Sequence, residues 1–333
     1  MRILKFQGNS KVDIGETARP TADNRNVVIK VKASALCGSE LHRFKGDIST
    51  DDTFFNAGHE VVGIVEDAPS DSPYQPGMRV GAQVVQGCGE CEHCLQQNEI
   101  GCQNKIQGYS RNAHAEYYRL GLGGIHPVPD DLDWPEAAIL TGDGLGVPIR
   151  CSQRLGDTSG QKVLILGLGP VGLSNVMVQS FKGAEVIGSD IFPYRINHAK
   201  TLGAVQAHHP DDLKPEVLEW THGKGADVVI LAVGNNNALL QAVDLVKYRG
   251  TIFQVGEMRE ASFSPSSVFI RKEVTWTGSW YYTNADWDAM LAIQQAGLPL
   301  DKFITHTFPF EQAQQAYDTF ISGESGKVVL TYD

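Results

Sequence analysis

Cys88, Cys91, Cys94 and Cys102 are spaced C-x2-C-x2-C-x7-C. Four thiolates at this spacing can close a tetrahedron around one zinc ion, and a closed set of that kind is structural. His93 lies inside the run, but four sulfurs already fill the coordination sphere. The N-terminal segment Met1 to Gly8 runs straight into polar residues and lacks a secretory pattern, so the cysteines are expected to be thiols or metal ligands, not disulfides. Residues 86–104 are therefore read as a metal-held lobe carried by a larger fold.

The 333 residues suffice for two domains of ordinary size, and 42% hydrophobic with 20% charged residues is a globular composition. A net charge of −11 argues against a nucleic acid or an anionic membrane as partner. With no run of 18 apolar residues, no transmembrane helix is expected, and a cytoplasmic location is the default.

The first 140 or so residues read as β-rich: Asn26 to Ala33, His59 to Glu66 and Gly77 to Val85 are strand candidates separated by turns, which suggests an irregular barrel. The character changes near residue 160. Apolar strands at Lys162 to Leu166, Glu185 to Asp190, Ala226 to Leu231 and Gly250 to Val255 alternate with helices at Val171 to Lys182, Tyr194 to Leu202 and Ala238 to Lys247. His208-His209 reads as loop. Strands apolar on both faces, alternating with helices, predict a parallel sheet covered on both sides. A further helix is expected at Trp287 to Gln295, before a closing strand, Lys327 to Thr331.

Gly167-Leu-Gly169-Pro170-Val171-Gly172 follows the first of those strands and opens a helix. Glycines there permit the turn and let a pyrophosphate reach free amides at the helix N-terminus. Asp190 stands 18 residues after Gly172, where an acid meets the adenosine ribose hydroxyls and repels a 2′-phosphate. That predicts NAD over NADP; a plain turn aspartate is the other reading, and Arg195 is near enough to neutralise a phosphate. Val233, Val255 and Gly256 fall at the carboxyl edge where ligands of such sheets bind, although Gly256 equally reads as a strand end.

Cys37-Gly38-Ser39-Glu40-Leu41-His42 and Gly58-His59-Glu60 offer a thiolate and an imidazole, and three protein ligands with an open position make a catalytic zinc site. Each motif alone is ordinary. In this order, together with the four-cysteine lobe, the glycine turn with Asp190 and the closing Gly326-Lys327-Val-Val-Leu, they resemble the zinc-containing medium-chain dehydrogenase/reductase family, the alcohol and polyol dehydrogenases, over nearly the whole chain.

The resemblance implies an α/β fold: a Rossmann doubly wound parallel sheet (146–284) plus a discontinuous, mostly β GroES-like catalytic domain (1–145 and 285–333). It implies that Cys37 and His59 hold the catalytic zinc. The family's third ligand, a cysteine or an acid, falls in Leu140 to Gly146, where Asp143 is the candidate and a helix cap the alternative. Glu60 is an exchanging ligand or sits behind the ligands. Glu40 orients a ligand histidine or is an ordinary first-turn acid. Cys151 is read as a small packed residue. Ser39 and His42 are the implied proton relay, against a helix cap and a surface histidine. Phe54, Phe55, Trp280 and Tyr281 line the substrate or belong to core or subunit contacts.

Two zincs per subunit, NAD and a homodimer or homotetramer complete the implied picture. The implied reaction is hydride transfer between NAD and an alcohol or ketone, with a polyol, sugar derivative or secondary alcohol favoured. A primary-alcohol or aldehyde dehydrogenase, a catalytically silent zinc- and nucleotide-binding sensor and a zinc-free reductase are the competing readings.

Overall fold

Asn26–Ala35 is an apolar run broken by Lys30, Lys32 and Ser34, and it becomes the strand that organises the N-terminal part of the molecule. The computed structural model describes residues 1–47, 57–104 and 112–333. The chain divides into two units: Met1–Gly146 with Tyr281–Gln295 and Ile304–Asp333, and Val147–Trp280 with Ala296–Phe303.

In chain order the first unit contributes β1 (Arg2–Gly8), β2 (Lys11–Glu16), β3 (Asn26–Ala35), β4 (Glu60–Asp67), β5 (Arg79–Ala82), β6 (Tyr117–Gly121) and β7 (Ile125–Pro127). The second contributes β8 (Lys162–Leu166), β9 (Glu185–Ser189), β10 (Gln206–His208), β11 (Ala226–Leu231), β12 (Val246–Gln254) and β13 (Thr275–Gly278). The chain then returns to the first with β14 (Ile304–Pro309) and β15 (Lys327–Thr331).

In the first unit β1 and β2 form a hairpin, and the other strands run β14-β15-β3-β4-β5-β7, with β6 also on β3. One edge of β3 takes β4 along most of its length; the other is shared, β6 pairing with Asn26 to Lys30 and β15 with Ala33 to Ala35. Val27, Ile29, Val31, Val61, Val80 and Leu120 form one buried cluster, while Phe6, Phe44, Tyr317 and Phe320 belong to a second. A helix over Trp134–Thr141, started by Asp133 accepting from the Glu136 amide at 2.8 Å, leads to Asp143.

The second unit is a six-stranded sheet in the order β10-β9-β8-β11-β12-β13, with every pairing parallel. Counted along the chain this is 3-2-1-4-5-6, a doubly wound sheet whose order reverses between β8 and β11. Burial on both faces of β8 and β11 explains why their sequences are unbroken apolar runs. Two expectations are corrected here. His208 is in β10, and the helix over Asn236–Leu245 stops early because Val246 is already extended and starts β12. No helix among the described residues is long and apolar enough to cross a membrane.

Candidate metal centre and nucleotide turn

Sheet register assembles the metal centre. Ala35 of β3 pairs with Glu60 on one side and with Val329 on the other. Cys37 lies two residues beyond Ala35, His59 immediately precedes Glu60, and Lys327 lies two residues before Val329, so all four arrive at one end of the sheet. Asp143, the first residue of the helix Asp143–Leu155, completes the group. Ligand atoms of Cys37, His59, Glu60 and Asp143 all lie within 4.8 Å of one another, and all four residues are buried.

The geometry ranks these donors. Asp143 Oδ2 is 3.0 Å from His59 Nε2 and 4.0 Å from Cys37 Sγ, while its Oδ1 has no hydrogen-bond partner among the described residues. Zinc bonds of about 2.0–2.3 Å at a tetrahedral angle separate ligand atoms by about 3.5 Å. Both oxygens of Glu60 are already engaged: Oε1 accepts from Lys327 Nζ at 2.5 Å and Oε2 from the Gly144 amide at 3.2 Å. An orphaned buried carboxylate oxygen beside a thiol and an imidazole fits a zinc ion; a carboxylate neutralised by an ammonium does not need one.

Charge points the same way. Burial alone would strip the proton from His59, but Cys37 and Asp143 hold its pKa well above the ordinary histidine value. Burial also opposes the Lys327 ammonium, yet Glu60, Cys37 and Asp143 keep its pKa raised. An excess of acidic groups around one imidazole and one ammonium suits a divalent cation.

Glu40 is buried behind His59, with Oε1 at 3.7 Å from Nδ1. Burial works against its charge, but His114, His59 and the Cys37 amide hold its carboxyl down to about 2. Tyr281 is edge-on to His59 at 6.2 Å between ring centroids, and Trp280 is half-buried. Phe54 and Phe55 lie outside the described residues. Ser39 is exposed in a short turn, and His42 is exposed with Nδ1 3.3 Å from Asp47 Oδ2. Cys151 is fully buried, as a packed thiol should be.

The four-cysteine lobe is also assembled. Cys91 and Cys94 sulfurs are 3.6 Å apart, Cys88 and Cys94 sulfurs 3.9 Å. A disulfide would need about 2.05 Å, whereas a zinc tetrathiolate with bonds of about 2.3 Å needs about 3.8 Å. Amides of Glu90 and Cys91 hold the Cys88 thiol down to about 7, while burial and the neighbouring sulfurs push Cys94 up to about 12. Such a crowd of thiols sheds its protons together only with a cation at the centre.

In the second unit the glycine turn closes over the carboxyl end of β8, at the reversal of strand order. Gly169 caps the helix Pro170–Phe181, with Pro170 at its start and Val171 in its first turn. A Cβ on Gly172 would stand 1.8 Å from the Gly167 carbonyl oxygen, so the helix can approach the turn only without a side chain. Asp190 Oδ2 accepts from the Leu168 amide at 2.7 Å and Oδ1 from the Phe192 amide at 3.0 Å, tying the turn to the end of β9. Arg195 Nη1 is 4.0 Å from Asp190 Oδ2. Val233 packs against Gly167, and Gly256 against the Val233 backbone. The Val255 and Gly256 amides both donate to the Leu231 carbonyl.

The sequence reading did not find Lys327, His114 or Tyr317 as site residues. A lysine heading an otherwise apolar strand, and a histidine between Ala113 and Ala115, were the local signals for the first two.

Family models match two stretches: the alcohol dehydrogenase GroES-like domain over residues 23–130 and the zinc-binding dehydrogenase over residues 170–295. The uncharacterized zinc-type alcohol dehydrogenase-like protein YphC of Escherichia coli (strain K12) is 31% identical, the match covering 100% of this chain and 99% of that protein. The chain belongs to the zinc-type alcohol dehydrogenase family. The chain is also 29% identical to the L-threonine 3-dehydrogenase of Xanthomonas axonopodis pv. citri (strain 306), with 99% of each covered. Among solved structures, the alcohol dehydrogenase TADH from Thermus sp. ATN1 superposes with a TM-score of 0.88 at 26% identity, covering 100% of both chains. Galactitol-1-phosphate dehydrogenase from Escherichia coli shares the fold, with a TM-score of 0.87 at 22% identity over 99% of this chain and 100% of that one.

Proposed function

We propose that this member of the family oxidises a small secondary alcohol, a polyol or a sugar derivative, with zinc held by Cys37, His59 and Asp143 and with NAD as hydride acceptor. The orphaned Asp143 Oδ1, beside Cys37 and His59 in a buried group, carries the reading. When bound, zinc supplies Lewis acidity to a substrate hydroxyl and nicotinamide supplies the hydride acceptor. Lys327 keeps Glu60 behind the ligand set, leaving one open position. Ser39 takes the substrate proton and His42, exposed beside Asp47, passes it to water. The first unit does the metal chemistry and the second binds the nucleotide.

Asp190, its carboxylate placed at the end of β9 by two amides, meets the adenosine ribose hydroxyls and disfavours a 2′-phosphate. A carboxylate ligand hardens the ion relative to a second thiolate. The name of the threonine 3-dehydrogenase relative supports a secondary carbinol. We also read the lobe as a second zinc site and β13, the sheet's edge strand, as the place where subunits pair. NAD and NADP reduction would be followed at 340 nm with L-threonine, polyols, secondary and primary alcohols, before and after treatment with a chelator. Chelator-sensitive oxidation of a secondary carbinol with NAD is expected. A fully metallated preparation that favours primary alcohols, or oxidises none of the panel, sinks the reading.

A further inference from the structure

Glu40 is a buried carboxylate, and its surroundings extend well past the metal ligands. Oε2 accepts from the Tyr317 hydroxyl at 2.9 Å and from the Cys37 amide at 3.2 Å. Oε1 faces His59 Nδ1 at 3.7 Å and His114 Nε2 at 3.5 Å. His114 is fully buried, and its Nδ1 is 2.7 Å from Ser34 Oγ, which is 2.9 Å from the Tyr332 hydroxyl.

The Tyr332 hydroxyl donates to Ser34 and Ser34 donates to His114 Nδ1, which leaves the imidazole hydrogen on Nε2. His114 Nε2 and Glu40 Oε1, 3.5 Å apart, are both buried and have no hydrogen-bond partner among the described residues, so each is the nearest charge or dipole to which the other can turn. The same histidine also fixes the backbone of the ligand loop. Its amide donates to the Ala57 carbonyl at 3.1 Å, the Ala113 amide donates to the Gly58 carbonyl at 3.2 Å, and a Cβ on Gly58 would stand 2.6 Å from the His114 nitrogen. Gly58 has φ +96°, so the turn into His59 depends on that close approach.

We propose that His114 is a positioning residue of the metal centre: it steers the Glu40 carboxylate onto Nδ1 of His59 and thereby fixes Nε2 as the nitrogen offered to the ion. This rests on the reading that Cys37, His59 and Asp143 hold the metal. An imidazole ligand needs its second nitrogen to donate to a fixed acceptor, and loss of such support typically weakens metal binding about 10–100-fold.

The test is zinc release to a chromogenic chelator from the full-length enzyme, the Cys37-site ion being identified as the one missing from the Cys37→Ala protein. His114→Phe keeps the ring volume and removes both nitrogens; it should release that ion about tenfold faster, while lobe zinc is unaffected. His114→Gln returns a donor toward Glu40 and should restore near wild-type release, with the cobalt-substituted spectrum following the same order. Wild-type release from His114→Phe, or equal acceleration in both variants, overturns the proposal. If His114→Phe does not fold, Ser34→Ala carries the test: it removes the donor to Nδ1, and unchanged release would be equally fatal. A wild-type enzyme that holds only lobe zinc would instead overturn the metal-centre reading underneath.

Discussion

Lys327 and Glu60 make a buried pair, and the arithmetic of buried charge gives it a measurable signature. Their side chains are 1% and 0% exposed, so removing one leaves the other charged and unsolvated. Lys327→Met is expected to cost about 3–5 kcal/mol in urea unfolding, and adding Glu60→Gln should recover most of it. Additive losses in the double variant would mean that the pair does not act as a unit. His126 offers a pH test of the same kind. It stacks on Trp287 at 4.2 Å, its Nε2 has no hydrogen-bond partner among the described residues, and burial lowers its pKa from 6.5 to about 4. The unfolded chain therefore takes up a proton that the folded one refuses. The stability involved, on the order of 3 kcal/mol, is fully present above pH 6.5 and is lost as pH falls toward 4. His126→Phe keeps the stack, and its unfolding free energy should fall less steeply across that window.

At the scale of elements, the glycine turn is the most constrained piece. Gly172→Ala would drive a methyl into the Gly167 carbonyl, and relief requires the helix Pro170–Phe181 to move off β8. A loss of about 1–3 kcal/mol, together with a large rise in the NAD dissociation constant by calorimetry, is expected. Normal nucleotide affinity would detach the turn from the cofactor. This turn and the cysteine run were readable because each is contiguous, so spacing alone reports geometry. The register of β3 with β4 and β15 was not. It puts Lys327 on Glu60, while backbone bonds from Ala113 and His114 to Gly58 and Ala57 bring His114 to the metal centre, and pairing over such separations leaves no local trace. The hand-off from helix to strand at Val246 was missed for a different reason: no glycine or proline marks it, and the change rests on a β-branched residue entering the sheet. β10 was missed because its three residues carry too little pattern to oppose a following proline.

For the molecule as a whole, the lobe is wired into the rest of the first unit by a buried acid. Glu99, between the third and fourth cysteines, accepts from the Asn284 amide at 3.0 Å and side chain at 2.9 Å, and from Gln83 Nε2 at 3.3 Å. Gln83 Nε2 also reaches the Tyr282 carbonyl at 3.4 Å, next to the Tyr281 that flanks His59. Cys94→Ser is therefore expected to lose one zinc per chain by mass spectrometry, to lower the melting temperature by several degrees, and to deprotect the backbone around Tyr281 to Asn284 in hydrogen exchange. Protection unchanged at those amides would make the lobe a separate appendage.

The distance along the chain between Glu60 and Lys327 has a consequence for how the protein is made. The carboxylate leaves the ribosome 267 residues ahead of its counter-ion, so its pocket cannot close over a bare charge until β15 docks on β3. The lobe needs only a short stretch of emerged polypeptide to bind its ion. On stalled nascent chains of increasing length, zinc uptake is expected early by the four cysteines, and by Cys37 and His59 only once Lys327 is out.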